Sequence, residues 1–239
     1  MSGELYDLWV YLSAEPLLHL TLTLVAFQIG LWLFERFNNL PLLNPVLIAI
    51  VLIAALLTLT DTPYSEYFEG AQFVHFLLGP ATVALALPLY KHFDAIRRSA
   101  PALLVSIISG SVAAIVSAVG LAWLLDASEQ TLISMAPKSV TSPVAMGITE
   151  QLGGIPSLTA VFVILTGIIG AMFGPALLDL IGVRDWRARG LAMGVASHGI
   201  GTARAIMLNP VAGAFAGLAM GLNALATAIL LPLLWHWIF

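Results

Sequence analysis

The chain has 239 residues, of which 60% are hydrophobic and only 9% are charged, whereas an ordinary globular domain carries about 25% charged residues. This composition excludes a water-soluble single domain. The net charge is −4 and no block of basic residues occurs, so the sequence excludes a nucleic-acid partner. The absence of cysteine excludes disulfides and thiolate metal sites.

Apolar stretches of the length that a bilayer requires, about 20 residues each, predict seven membrane spans, which carry no charged residue except Arg204 in the sixth. In chain order they are Leu17 to Phe34, Pro41 to Thr60, Ala71 to Tyr90, Ala100 to Leu125, Pro156 to Leu178, Gly190 to Leu208 and Val211 to Trp237. The stretch Thr131 to Gln151, between the fourth and fifth of these, is shorter and more polar.

The distribution of lysine and arginine predicts the topology, because cations in short loops favour the cytoplasmic side. Seven of the nine cations fall in three predicted loops: Arg36; Lys91, Arg97 and Arg98; and Arg184, Arg187 and Arg189. All three loops share one side if residues 131–151 enter the membrane and return, with a break near Thr141-Ser142-Pro143. We therefore predict an all-α polytopic membrane protein with about seven spans and one re-entrant hairpin; eight full spans are the alternative.

In this topology residues 41–125 and 156–237 run in opposite directions, and inverted repeats are typical of transporters. A short sequence similarity supports the pairing of the two repeats, since Gly79-Pro80-Ala81-Thr82-Val83-Ala84 resembles Gly201-Thr202-Ala203-Arg204-Ala205-Ile206. Because of this similarity, Pro80 and Thr82 are also candidate site residues. Pro80-Ala81 also resembles Pro143-Val144, so the correspondence of segments stays open.

Lys138 lies in the stretch Ala136 to Pro143 of the predicted re-entrant segment, and inside a membrane a charge costs about 2.5 to 3.5 kcal/mol unless it faces a cavity or a partner. Two prolines in this stretch cannot belong to one uninterrupted helix, so we predict a break in the backbone. Ser139, Thr141 and Ser142 supply hydroxyls there, and a helix that starts near Pro143 directs free N–H groups at the break and attracts anions. The alternative is a structural kink from which Lys138 reaches the interface.

A second broken segment is predicted between Ala196 and Arg204, where two glycines weaken the helix. Thr202 is expected to cap the half-helix that follows, Arg204 offers its guanidinium to a carboxylate, and His198 is a hydrogen-bond donor or proton carrier. The candidate residues of this segment are Ser197, His198, Gly199, Gly201, Thr202 and Arg204.

Two cationic broken segments predict a small anionic solute near the middle of the membrane, most naturally a carboxylate, with phosphate as the alternative. His19 and His75 lack a second ligand at metal spacing, so no metal site and no cofactor are predicted. The motifs of hydrolases and metalloproteases do not occur, so no enzyme is predicted. Asn223 and the stripe of Gly213, Gly217 and Gly221 are interpreted as helix-packing features.

Several motifs resemble those of the LrgB/CidB family of bacterial membrane proteins, from about Pro41 onward. They are Pro137 to Met146, Gly153 to Ala160, Arg189 to Gly194, Ala196 to Ala203, Pro41 to Pro45 and Gly79 to Ala86. Two departures occur: Thr141-Ser142-Pro143 replaces the usual Thr-Thr-Pro, and His198-Gly199-Ile200-Gly201 replaces the usual His-Ala-Leu-Gly. The first keeps a hydroxyl, and the second adds backbone freedom.

The resemblance implies a multi-pass protein of the bacterial inner (plasma) membrane, with one LrgB-like domain over residues 1–239. The family was named for antiholins that modulate murein hydrolase export and cell lysis beside a small LrgA/CidA-type membrane protein. Related plastid proteins carry glycolate and glycerate, and bacterial pairs are linked to pyruvate uptake. We therefore expect an ion-coupled carrier of small monocarboxylates, possible partnership with an LrgA-like protein, and a homodimer. The antiholin-like role without a solute site is the alternative.

Overall fold

The computed structural model describes residues 16–37, 40, 43–77, 90 and 93–238. These residues form helices and connecting turns with no β-strand among them, which confirms the all-α prediction. The chain divides into two compact units, Met1–Ala84 and Leu85–Phe239, and each is described by itself. Pro80 and Thr82 lie outside the described residues, and so does most of the predicted span from Ala71 to Tyr90.

The first unit contains helices α1 (Pro16–Arg36), α2 (Pro45–Leu59) and α3 (Tyr64–Phe76). Asn44 caps α2, since its side-chain oxygen accepts hydrogen bonds from the N–H groups of Val46 and Leu47. None of the 15 residues of α2 is buried, although the helix is apolar. An unburied apolar helix is compatible with lipid as its surroundings.

The second unit holds the remaining helices of the described chain. They are α4 (Phe93–Arg98), α5 (Ala100–Leu124), α6 (Glu129–Met135), α7 (Ser142–Leu152), α8 (Pro156–Leu180), α9 (Trp186–Leu208) and α10 (Pro210–Ile238). Prolines lie in the first turns of α7, α8 and α10, where a missing N–H group is tolerated. Among the described residues, α1, α5, α8 and α10 are long and apolar enough to cross a membrane.

Helices α6 and α7 form a first hairpin. The predicted break is confirmed, because α6 ends at Met135 and α7 begins at Ser142. The chain then comes back to the last turn of α6, since the N–H of Ile155 donates a hydrogen bond of 2.9 Å to Ser134 Oγ. The two ends also pack closely: a Cβ on Gly154 would lie 2.6 Å from Ile133 Cγ2. That this hairpin is re-entrant in a bilayer stays a prediction.

Helix α9 forms a second hairpin, whereas the sequence predicts a span from Gly190 to Leu208 that is broken between Ala196 and Arg204 but still crosses the membrane. Ser197 (φ −133°, ψ 17°) and His198 (φ 40°, ψ −132°) leave helical geometry. A Cβ on Gly201 would lie 2.6 Å from Met193 O, although eight residues of straight helix cover about 12 Å. The chain therefore reverses at Ser197 and His198, and residues 198–208 return beside the first leg.

Packing against α10 gives independent evidence for this reversal. A Cβ on Gly190 would clash with Ala212 O, and a Cβ on Gly194 would clash with Ala216 O, so the first leg of α9 and α10 run side by side in the same direction. Because Asn209 alone connects α9 to α10, only a leg that runs back can bring the chain to the start of α10. The glycines permit this close approach of two backbones.

The two hairpins have their bases at opposite ends of α10. Ile133 of the first hairpin shares an apolar cluster with Leu231 and Trp235, near the end of α10. The base of the second hairpin packs at Ala212, near its start. Both hairpins therefore point from opposite ends toward the middle of the same long helix.

Arg189 fastens the base of the second hairpin to the end of α8. The sequence places Arg189 in an exposed basic loop, but the residue is only 7% exposed and lies within α9. Its guanidinium donates hydrogen bonds to Asp179 (2.5 Å), Val183 O (3.0 Å) and Pro175 O (3.2 Å). It also lies 5.0 Å from the centre of the Trp186 ring. A buried arginine with several partners of this kind stabilises the base of the hairpin.

Asp185 caps α9 at the same base. Its carboxylate accepts hydrogen bonds from the backbone N–H and the side chain of Arg187. These bonds lower the pKa of the Asp185 carboxyl to about 2. The carboxylate is therefore charged at neutral pH, as the positive end of a helix dipole favours.

We predict that Arg189→Gln lowers the free energy of unfolding by about 1.5 to 3 kcal/mol, because hydrogen bonds from a buried charged donor are lost. Thermal unfolding in detergent, followed by tryptophan fluorescence, measures the effect. Arg187→Gln is the matched control: Arg187 and Asp185 are about half exposed, and exposed ion pairs contribute little. Equal losses of melting temperature in the two variants would contradict this role of Arg189.

Candidate functional site

The tips of the two hairpins meet at Asn223, near the middle of α10. Its side-chain Nδ2 donates hydrogen bonds to Ser139 O in the first hairpin (3.3 Å) and to Val195 O in the second (3.1 Å). Carbonyl groups next to a helix break lose their helical partners, and an unpaired carbonyl in a membrane is costly. One amide group therefore satisfies a backbone carbonyl at each of the two breaks.

Apolar packing holds the first tip between α8 and α10. Val140, Ala145 and Val163 form one buried cluster, against which Val144 and Ala224 pack. Val163 belongs to α8, and Ala224 is the neighbour of Asn223 on α10. Val140 within the break and Ala145 just after it are therefore buried in protein, as irregular backbone at membrane depth requires.

The second tip is fastened to α8 through His198. The ring Nε2 lies 2.9 Å from Val163 O and donates to it, since a carbonyl can only accept. His198 has a positive φ of 40°, a conformation that costs a non-glycine residue of order 1 to 3 kcal/mol. The hydrogen bond to Val163 helps to offset this strain.

Two glycines of α8 form the surface against which this tip packs. A Cβ on Gly167 would lie 2.7 Å from His198 Cε1, and a Cβ on Gly170 would clash with Ser197 Oγ and lie 2.7 Å from Ser197 Cβ. The pair, called here the Gly167–Gly170 notch, leaves room for the reversal. The sequence analysis did not single out either glycine.

The second break corrects one detail of the sequence analysis. The glycines Gly199 and Gly201 were expected to weaken the helix, and Thr202 was expected to cap a following half-helix. The reversal lies instead at Ser197 and His198, and Thr202 falls within the returning leg. Gly201 instead permits a close approach of two backbone segments, here to Met193.

The charged residues occupy different places. Lys138 is half-buried at the first tip, and its Nζ lies 3.4 Å from Ser139 Oγ. Arg204 is half-buried on the returning leg, six residues or about 9 Å of helix beyond His198. The structure thus brings Lys138, Ser139, Ser197 and His198 together, and it sets Arg204 farther from the reversal.

Helix α7 begins at the first tip without a side-chain cap. Thr141 is its N-cap residue but makes no capping hydrogen bond, so the N–H groups of the first turn are not used by a cap. Ser142 and Thr141 are half-buried, whereas Pro143 is exposed. A helix therefore starts at this break as predicted, and its attraction for an anion stays a prediction.

Two buried oxygen atoms at this level lack a hydrogen-bond partner: Thr202 Oγ1 and Asn223 Oδ1. Thr202 is 2% exposed and Asn223 is 1% exposed. Such orphaned polar atoms are rare in native proteins and require an explanation. Among the described residues, no group of three or more histidine, aspartate and glutamate side chains could hold a metal ion.

Asn223 is the main residue that the sequence analysis left out of the site. It was interpreted as a link between helices, which it is, but its two partners are the tips themselves. Its position in the sequence could have indicated this role, because an amide in the middle of a long apolar span needs a hydrogen-bond partner inside the protein. The Val163 carbonyl offered no signal, since backbone groups are invisible in a sequence pattern.

A family model described as "LrgB-like family" matches residues 23–237. The chain belongs to this family. It is 34% identical to "Holin-like protein CidB" of Staphylococcus epidermidis (strain RP62A) over 92% of this chain and 96% of that protein. It is 31% identical to "Antiholin-like protein LrgB" of Bacillus mycoides (strain KBAB4), again over 92% and 96%. The resemblance deduced from the motifs is thereby confirmed.

A further relative is "Uncharacterized protein YwbG" of Bacillus subtilis (strain 168), 35% identical over 90% of this chain and 95% of that protein. No solved structure matches the chain. The family membership and the apolar helices indicate a bacterial membrane protein.

We predict that Gly170→Ala displaces the second tip, because the new methyl group would overlap Ser197. Overpacking of this kind costs about 1 to 3 kcal/mol, so the melting temperature of the detergent-solubilised protein should fall. Gly174→Ala, one turn farther along α8, is the control, because a Cβ there meets nothing within 4 Å. A stable Gly170→Ala variant would show that the tip does not depend on the notch.

Proposed function

We propose that this protein is a secondary carrier of small monocarboxylates of the glycolate, glycerate and pyruvate type. The observation that supports the proposal best is the meeting of two broken hairpins at the middle of α10. Discontinuous helices that meet near the membrane midplane are typical of substrate sites in secondary transporters. Fold-level analogy alone would be weak, so the chemistry of the tips has to carry the argument.

The chemistry of the tips suits one small anion. Lys138 supplies a positive charge, the uncapped start of α7 supplies N–H groups, and Ser139 and Ser197 lie at the two tips. A carboxylate accepts hydrogen bonds from all of these donors and is favoured at a helix N-terminus. Thr141, Ser142, Gly199, Gly201 and Thr202 flank the same breaks. Pro143, Arg204, Pro80 and Thr82 stay predictions of the sequence analysis.

The proposed topology follows from the two hairpins. The hairpins enter from opposite membrane faces, and α5, α8 and α10 cross between them. A solute at the tips is then separated from each side by one hairpin, which is the arrangement that alternating access requires. Ion coupling, an inner-membrane location, a homodimer and cooperation with a small LrgA-like protein are parts of this proposal.

The second candidate function is modulation of murein hydrolase export and cell lysis. The names of the relatives, holin-like and antiholin-like, favour this function. These names fit a role in lysis better than they fit transport. In that case the tips stabilise the fold or an assembly and bind no solute. The two functions differ in one measurable property, namely saturable uptake.

We expect proteoliposomes with this chain alone to take up radiolabelled glycolate or pyruvate saturably, and faster with an inward proton gradient. Lys138→Gln should raise the KM at least about tenfold, since a charge-assisted hydrogen bond is worth about 1.5 to 3 kcal/mol. Lys138→Arg is the matched control, because it keeps the charge and should retain part of the uptake.

The absence of uptake of both solutes would contradict a self-sufficient carrier. The same vesicles with an added LrgA-type protein then separate the remaining readings. Uptake that requires both proteins supports a two-component carrier, whereas no uptake together with altered lysis of expressing cells supports the antiholin-like function.

A further inference from the structure

We propose that Asn223 is a specificity-determining residue that selects a 2-hydroxy monocarboxylate over its 2-oxo counterpart. The inference rests on the proposed carrier function and narrows its substrate class. It is carried by two observations: the use of both protons of the Asn223 amide by the hairpin tips, and the buried carbonyl oxygen that is left without a partner.

The orientation of the Asn223 amide is determined by its neighbours. Both atoms near Nδ2 are backbone carbonyl oxygens, Ser139 O and Val195 O. Carbonyl oxygens only accept hydrogen bonds, so the nitrogen must face them and the oxygen must face away. The side chain therefore presents a fixed acceptor, Oδ1, beside the tips.

An acceptor of this kind discriminates between ligands by their donors. The hydroxyl at C2 of a 2-hydroxy acid donates a hydrogen bond to Oδ1 while the carboxylate accepts from the donors of the first tip. The ketone oxygen of a 2-oxo acid is itself an acceptor, so it would leave Oδ1 unpaired and face it with like partial charge. Sites that bind a substrate hydroxyl reject analogues without one strongly.

Thr202 provides a second buried oxygen atom that could bind the substrate. Its Oγ1 is also buried without a partner, and it lies one turn beyond His198 on the returning leg. A hydroxyl can donate as well as accept, so Thr202 is suited to either end of a hydroxy acid. Asn223 Oδ1 can only accept, and it is therefore the atom that sets the preference.

The covered position of Oδ1 fits a site that is closed in this structure. Asn223 is 1% exposed because the two tips lie over it. A ligand reaches the oxygen when one tip moves, which breaks one bond to Nδ2 and leaves the other in place. The remaining bond keeps the amide oriented, so the acceptor is presented in either state.

Inhibition of radiolabelled glycolate uptake by lactate, pyruvate and propionate tests the proposal. Lactate and pyruvate share a carbon skeleton and differ at C2, and propionate lacks an oxygen there. We expect lactate to inhibit at concentrations at least about tenfold lower than pyruvate or propionate. In Asn223→Leu, which replaces the amide with an apolar side chain of similar size, this ratio should fall to about one.

Thr227→Val is the matched control on the same helix. Thr227 is buried one turn beyond Asn223 and shares a hydrogen bond of 2.9 Å with Ser111. The variant should lose stability but keep the preference for lactate, which separates specificity from a structural effect. An unchanged ratio in Asn223→Leu would overturn the proposal.

The unaltered protein decides the matter if Asn223→Leu does not fold. Equal inhibition by lactate and pyruvate, or stronger inhibition by pyruvate, would overturn the role of Asn223 and leave the carrier function standing. Absence of glycolate and pyruvate uptake, with and without an LrgA-type protein, would overturn the carrier function and this inference with it.

Discussion

The fold of the second unit depends on how two interrupted helices satisfy their backbone groups away from water. Every break exposes carbonyl and N–H groups, and in a membrane each of them must find a partner inside the protein. Asn223 pairs with a carbonyl at each tip, and His198 pairs with Val163 O on α8. These few bonds determine where both hairpins end, and the packing of the long helices is arranged around them.

Small residues make that arrangement possible. Gly190 and Gly194 let the first leg of α9 lie against the backbone of α10, Gly201 lets the second leg return beside the first, and the notch on α8 receives the tip. The second hairpin thus depends on glycines, which have no side chain, at several separated positions. Hydrophobic burial does little to determine which helix surfaces pack together in a membrane, because lipid is as apolar as the helix surfaces.

The sequence predicted the first hairpin better than the second for a physical reason. Pro137 and Pro143 cannot both lie inside one uninterrupted helix, so the break between α6 and α7 follows from local chemistry. The reversal at Ser197 and His198 contains no proline, and His198 adopts its positive φ because of contacts with α8 that a sequence pattern does not display. Arg189 was misplaced for the same reason, since its partners Asp179 and Pro175 come from another helix.

The same bonds connect the fold to the proposed function. Under the proposed carrier function the site must close to each side in turn, and the two hairpins at opposite ends of α10 would be the two barriers. Asn223 touches both barriers, while His198 touches only the second. Movement of the first tip therefore breaks one amide bond, whereas movement of the second must also release the strained histidine from Val163. The two openings differ in their energetic cost because of this asymmetry, even though the hairpins meet at the same residue.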